Sequence, residues 1–575
     1  MKMPTLTNID MSRDFISAFA GYNHNLHIND AEFFDMKNMT SDFYPILSPR
    51  ETRKEYVFPM SNPSLNGVIS KDSLCYVDKG TFYINNIPVE NFTLTDTPKQ
   101  LVSMGAKVII MPDKKYINTI NLEDKGDLEA FYMSTGTVSY TLCKNDGTAY
   151  ESPVVSPTAP DTTKLWIDTS NTPHTLKQFN TSTSMWVQIA TVYVRIESEG
   201  IGASFNQGDG ITISGVTPEQ LNDLNNTMIL QDKGDNYLVV VGILDTATTQ
   251  DTPITIERRM PNLDYIIESQ NRLWGCRYGT AVNGETVNEI YASKLGDPKN
   301  WNCFQGVTTD SYVVSCGTDG AFTGAVTYGG YPLFFKEDCL HKIYGEYPSN
   351  YRVQTTQCRG VESGSSKSLA IVNETLFYKN RDGICAYEGS LPLSVSSQFG
   401  TVKYKNAVGG ASENKYFVSM QDMSNQWHLF AYDVINNMWH KEDDLHVVDF
   451  CKHDGIVYAS TKTGMQIFNQ PSDEVVEWMA ETGDMGISMI DQKYISRLVV
   501  RLSLEIGSVI HVFIEYNSSG QWEHGFTANG NKLTSFDVSI RPMRCDHFKL
   551  RFVGKGKAKI YSISKIIEQG SDVYA

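Results

Sequence analysis

An all-β chain is what this sequence predicts, on three observations. Helical periodicity is nearly absent along 575 residues, glycine turn dipeptides recur throughout, and one strand–turn–strand pattern repeats seven times. The composition agrees: 30 Tyr, 26 Phe and 43 Gly favour pleated strands and tight turns over helices. Asn66-Gly67, Asp146-Gly147, Asp319-Gly320, Asp382-Gly383 and Asp454-Gly455 supply the positive φ that two-residue hairpins need. Only residues 217–225 and 473–481 read as short helices.

In chain order, the first unit covers residues 1–133 and holds an N-terminal arm and two copies of the repeat, at 68–84 and 101–117. The other copies fall at 265–293, 324–344, 369–387, 407–432 and 448–468. Each has an apolar strand, a polar turn, a second strand rich in Tyr or Phe, and a third short strand. The later copies start about 40 to 60 residues apart, the length of a four-stranded propeller blade, whose two faces are buried only by neighbouring blades. The fold expected is a β-propeller of about six to eight blades, interrupted and then followed by other β units.

The interruption is residues 134–256, rich in Thr, Ser, Asn, Asp and Pro, and read as a β-domain inserted into a propeller loop, where insertion is tolerated best. Trp166 and Trp186 are its expected core aromatics, with sugar stacking as the alternative. Propeller blades resume over 257–475. Residues 476–575 alternate cleanly, as in 495–504, 508–516 and 547–552, which predicts an antiparallel sandwich with one face buried and one wet.

Charge and chemistry narrow the function. The net charge is −17, from 49 Lys+Arg against 66 Asp+Glu, which makes the chain a poor general nucleic-acid binder. No apolar leader is read near Met1, and the longest strongly apolar run, Tyr237 to Leu244, is a strand's length rather than a membrane span. The ten cysteines are scattered with no C-x-x-C and are expected as reduced, buried thiols. His440 and His446, near Asp443 and Asp444, read as a solvated loop, not a metal site. The serine-rich run 363–368 and the Gly-Lys run 554–559 read as turns. Propeller glycosidases place acids from different blades around the axis, so sequence spacing cannot locate such a pair. No catalytic, cofactor-binding or metal-binding residue is assigned, no cofactor is expected, and the chain is read as not an enzyme. One basic cluster stands out: Arg541, Arg544, Lys549, Arg551, Lys555, Lys557 and Lys559. Lys549 and Arg551 share one strand face, and with Arg541 and Arg544 they are candidate contacts to an acidic neighbouring subunit.

Several segments carry a family likeness. They are the stretch 31–50 ending in Ser48-Pro49-Arg50, the run Asn271-Arg272-Leu273-Trp274-Gly275, Gly296-Asp297-Pro298 followed by Trp301, residues 360–368, Asp382-Gly383-Ile384 and 542–548. Together they resemble the packaged-DNA stabilisation proteins, also called tail hub or nozzle proteins, of short-tailed bacteriophages. The likeness implies a virion structural protein of the tail or neck, assembled in the bacterial host cytoplasm. It implies a homo-oligomer, expected as a hexameric ring, that contacts the portal or adaptor and other tail proteins. Packaged DNA would be retained and then pass without sequence-specific binding, with no membrane insertion. A receptor- or carbohydrate-binding tail-tip propeller and a propeller glycosidase remain alternatives.

Overall fold

The computed structural model describes residues 11–281, 284–487, 492–530, 532–541 and 543–569. Among them the chain is all-β, and its helices are four short 3-10 turns. Seven small antiparallel sheets each run as a four-stranded meander. Six are continuous in sequence, within residues 65–93, 100–127, 265–315, 324–357, 370–394 and 404–441. The seventh takes three strands from 449–467 and its fourth, Lys54–Glu55, from the N-terminal segment. Each of the seven sequence repeats falls on one of these sheets. The fourth strand of each is the part that the repeat does not show.

Alternation within the second strands explains how the sheets stack. Cys75 and Val77 pack towards the second sheet with Val108 and Ile110, while Leu74 and Tyr76 pack towards the seventh with Cys451 and Met465. Leu273 shares a core with Ile109 and Met111, and its neighbour Trp274 shares another with Phe334. Leu333 and Phe335 meet Leu376 and Tyr378, Phe377 meets Tyr416, and Phe417 meets Phe468. Seven cores therefore lie between seven consecutive sheets, and the last joins the seventh sheet to the first. Period-two side chains on a sheet buried on both faces require this arrangement. Near the first strands the sheets come very close: a Cβ on Gly410 would sit 2.4 Å from Phe450 of the next sheet, so only glycine fits.

The chain leaves this cycle between the second and third sheets. Ala130–Met133 pairs with Thr255–Arg258, so the inserted unit begins and ends a few residues outside the expected 134–256. It has a four-stranded and a five-stranded sheet around Ile211, Ile213, Leu238 and Val240. A smaller sheet, with a parallel pair between Val154–Ser156 and Trp166–Asp168, packs on the outside through Ile167 and Leu176. The expected helix at 217–225 is a 3-10 turn, Glu219–Leu224.

Residues after the seventh sheet form a two-sheet sandwich. Its sheets hold Glu477–Thr482, Phe548–Lys555, Val509–Tyr516 and Trp522–Asn529, and Ala558–Gln569, Lys493–Leu504 and Thr534–Asp537. The expected helix at 473–481 is corrected here: Glu477–Thr482 is a strand, because Trp478 and Ala480 point into the sandwich core while Glu477 and Glu481 face out. The N-terminal arm differs from its expected place as well. Met11–Ile16 pairs with Ala558–Gln569, and Phe33–Lys37 pairs with Glu477–Thr482, so each sandwich sheet gains an edge strand from the arm. Phe19, Tyr22, Phe33 and Met36 join the sandwich core to Trp439 and Phe430 of the sixth sheet.

Candidate functional site

The first strands of the first, second, third, fourth and seventh sheets, with the turn that precedes the fifth, line a cavity of about 490 Å3. Val68, Gln100, Tyr265, Ser366, Lys367 and Asp449 are among its lining residues. Lys367 Nζ lies 3.1 Å from Asp449 Oδ2, and Lys99, whose side chain is fully buried, lies 2.5 Å from Asp113. That bond, with further hydrogen bonds from Thr95, holds the Asp113 carboxyl below its ordinary range despite burial. Asp449 is the one carboxylate in the lining. Two-acid glycoside hydrolysis needs a pair about 5 to 9.5 Å apart, so at this cavity a second acid would have to come from elsewhere.

The sequence-predicted basic cluster is brought together on and beside the sandwich, and most of its charges are already answered. Arg551 binds Glu481 at 2.6 Å and stacks 3.9 Å above Trp522. Lys549 lies 3.5 Å from Asp484, Lys555 3.4 Å from Glu477, Lys557 3.1 Å from Glu51, and Arg541 3.0 Å from Glu523. Arg544 donates to the Tyr494 hydroxyl at 3.2 Å. Lys549 and Arg551 do share the outer face of the five-stranded sheet, as alternation requires. Three of the paired acids, Glu477, Glu481 and Asp484, come from Glu477–Thr482 and its flank, about 65 to 80 residues upstream, which is why the cluster looks unopposed in sequence. The Gly-Lys run at 554–559 is a turn with Gly556 at φ +79°, but the expected hairpin is corrected: its flanking strands, Phe548–Lys555 and Ala558–Gln569, lie in different sheets and do not pair.

His440 requires correction, whereas His446 lies in an exposed loop as expected. His440 is buried in Met438–Lys441, and burial pushes its imidazole down to about 3. His446 is exposed and stacks on Trp427 at 3.8 Å. Their acidic neighbours are structural: Asp443 lies 2.7 Å from Arg53, and Glu442 forms a buried pair with the same guanidinium. Arg50 adds a two-pronged bond to Glu474 at 2.7 and 3.2 Å. The only advance signal of this network was a pair of arginines in a segment otherwise headed for an edge strand.

The remaining candidates are quiet. Burial raises the thiols, for example Cys75 to about 12 and Cys316 to about 11, away from nucleophilic ionisation. Of the serine run, Ser365 and Ser368 are buried and accept backbone N–H groups from Ala407 and Lys379. No metal-holding group of three His, Cys, Asp or Glu is present among the described residues. In the inserted unit Trp166 is buried and Trp186 half-buried, 5.2 Å apart, with Phe179 beside Trp186. Lys177 bridges Trp166 and Asp168, and its hydrogen bond holds the Asp168 carboxyl at about 2.

No family model and no curated protein matches the chain. Among solved structures it is similar to an exo-β-1,3-galactanase from Phanerochaete chrysosporium, at 8% identity and a TM-score of 0.20, over 52% of this chain and 94% of that one. It is also similar to PorZ, an essential bacterial surface component of the type-IX secretion system of Porphyromonas gingivalis. That match has 11% identity and a TM-score of 0.25, over 92% of this chain and 81% of that one. The expectation that the chain is not an enzyme is corrected by the first match: a glycosidase stands among the similar structures, so non-enzymic character does not follow from this architecture. At these levels of similarity neither match transfers a residue, substrate or reaction to this chain.

Proposed function

We propose that the chain is a structural component of a short-tailed phage virion, a tail nozzle or hub whose copies form a ring that retains packaged DNA and lets it pass. In this reading the seven cyclically packed sheets are the seven blades of a propeller, 134–256 is its insertion, and the C-terminal unit is the sandwich. The supporting observation is that the N-terminal segment is built into both the sandwich and the last blade. Met11–Ile16 and Phe33–Lys37 complete the sandwich sheets, and Lys54–Glu55 closes the seventh sheet. A strand taken from the far end of the chain makes opening of the ring pay a loop-closure cost over the whole protein, as suits a part under mechanical load.

In this proposal the conduit is the lumen between copies. The excess of 66 acids over 49 bases would make that wall repel phosphate, and the basic cluster does not oppose this because acids of the same sheet pair with it. Light scattering on the purified protein tests the assembly: six times the 64.4 kDa chain mass is expected. Virions imaged by cryo-electron microscopy should carry a matching six-fold ring, and virions lacking the gene should lose DNA. Full, stable heads without the protein would overturn the proposal.

A second reading rests on the half-buried Trp186 and Phe179 on the outer face of the small inserted sheet, a surface of the kind that stacks on sugars. A glycan array separates the two readings, since a nozzle should give no hits.

A further inference from the structure

We infer that Ser518, His547 and Asp546 form a hydrolytic site at one pole of the C-terminal sandwich, with small, unhindered carboxylic esters as its substrate class. Ser518 is the nucleophile, His547 its base, and Asp546 the residue that positions the base. The inference goes beyond the ring proposal and stands or falls separately from it.

The three residues come from two segments. Ser518 lies in the turn between Val509–Tyr516 and Trp522–Asn529, and Asp546 and His547 lead into Phe548–Lys555. Ser518 Oγ is 2.8 Å from His547 Nε2, and His547 Nδ1 is 2.9 Å from Asp546 Oδ2. Asn517 ties the segments together twice. Its N–H donates to the His547 carbonyl at 3.0 Å, and its Oδ1 accepts the Asp546 N–H at 2.7 Å. The Asp546 carboxyl is held below its ordinary range, chiefly by its bond with His547, so it accepts as a carboxylate and Nδ1 carries the proton. Nε2 is then the bare nitrogen, and the Ser518 hydroxyl donates to it. This is the sequence of groups that activates a serine: hydroxyl, Nε2, Nδ1, carboxylate.

The backbone of the turn is a second observation. Asn517 and Ser518 both lie in the left-handed region, at φ +53° and +48°. They are the central pair of a turn closed by the Ser519 N–H to the Tyr516 carbonyl at 3.2 Å. Turns of this hand ordinarily place glycine second, so a serine there is kept at a conformational cost. Among the described residues the Ser518 N–H has no hydrogen-bond partner, and a nucleophile's own amide is a usual donor to the oxyanion. Asp484 Oδ1, buried and without a hydrogen bond, lies 3.8 Å from Nε2 and 3.5 Å from Lys549 Nζ. It adds negative charge beside the imidazolium that forms when Nε2 takes the serine proton.

The step balances with water as the only co-reactant. Ser518 Oγ bonds to the ester carbonyl carbon while Nε2 takes its proton, and the alcohol leaves with that proton as its C–O bond breaks. Water, giving a proton to Nε2, then attacks the acyl-serine, which releases the carboxylic acid and returns the proton to Ser518. Residues 517–520 are all exposed, so the hydroxyl is open to solvent. An open site gives a long acyl chain little to bury against, which favours a small group such as acetyl.

The test uses the full chain, with 4-nitrophenyl acetate as probe ester and a fluorophosphonate as covalent trap. Mass spectrometry of wild type should map the phosphonate to Ser518. Ester turnover should fall by about tenfold or more in Ser518→Gly and in His547→Gln. Glycine keeps the left-handed backbone, so its loss of turnover is not an effect on the turn. Asp546→Asn should lower kcat by about tenfold or more and leave KM unchanged, which loss of a merely structural contact would not do. No adduct on Ser518, or equal turnover by wild type and Ser518→Gly, overturns the site. An unchanged kcat in Asp546→Asn overturns the positioning role. None of these outcomes moves the assembled mass on which the ring proposal is judged.

Discussion

Arg53 carries its charge into the interior where the N-terminal segment meets the sixth and seventh sheets. Its side chain is 4% exposed and its partner Glu442 5%, with Asp443 and Gln466 completing the guanidinium's bonds. Burying both ions costs heavily, and the pair is supported by the further guanidinium bonds to Asp443 and Gln466. Removing one partner strands the other. Arg53→Ala should therefore lower unfolding stability by about 3–5 kcal/mol, read from the urea midpoint, while Arg53→Met with Glu442→Leu should cost much less. Two buried histidines make the fold acid-sensitive. His440 is held down to about 3 and His341 to about 4, both chiefly by burial, against an ordinary value near 6.5. Between those values the unfolded chain binds protons that the folded one does not. Stability is thus full above about pH 6.5 and falls as pH drops towards 4, by about 2 kcal/mol per histidine at pH 5. Urea midpoints measured from pH 7.5 to 4.5 check this, and His440→Gln should flatten the slope. Neither effect was visible in the residues alone, where His440 sits beside three acids and reads as solvated.

At the scale of elements, the inserted unit is clamped rather than tethered. Asp209, in the Gly208-Asp209-Gly210 turn, pairs with the buried Arg258 and accepts from Asn300 Nδ2 at 2.9 Å. Asn300 Oδ1 accepts the Gly210 N–H at 2.9 Å, and Lys294 Nζ donates to the Gly208 carbonyl at 3.0 Å. Asn300 belongs to the Gly296-Asp297-Pro298…Trp301 segment, which carried part of the family likeness. The structure gives that segment a job: Trp301 packs into the core between the second and third sheets, and Asn300 holds the insertion. Asn300→Ala leaves Asp209 and the Gly210 amide short of a partner and should cost about 2–4 kcal/mol locally. Hydrogen exchange at the amides of 208–210 should speed up, with little change in the first and fifth sheets. Uniform acceleration across the chain would show that the clamp supports the whole fold instead.

At the scale of the whole molecule, charge and closure act together. The −17 net charge is little offset by the basic cluster, because Lys549, Arg551 and Lys555 are paired with acids of neighbouring segments. The full chain should show no retention of duplex DNA near 150 mM salt in a filter-binding assay, and tight retention would remove the charge argument for free passage. Closure of the cycle depends on Lys54–Glu55 and on the next amide, Tyr56 N–H to the Met465 carbonyl at 2.8 Å. Tyr56→Pro removes that donor and should make the seventh sheet the first to be cut in limited proteolysis.

The sequence by itself determined the all-β class and the seven repeated strand–turn–strand units. These are local signals: period-two side chains and positive-φ turn residues act within ten or fifteen positions. It did not show the fourth strand of every sheet, because several outer strands are short or mostly exposed and lose the apolar alternation, as in Leu393–Ser394 and Arg352–Gln357. Nor did it show that the arm belongs to the sandwich, that 477–482 is a strand, or that the basic cluster is neutralised. Only the tertiary structure decided those points. Each depends on partners tens to hundreds of residues away, such as Arg53 with Glu442 or Met11 with Glu568, and pairing at that distance leaves no periodic trace in the chain.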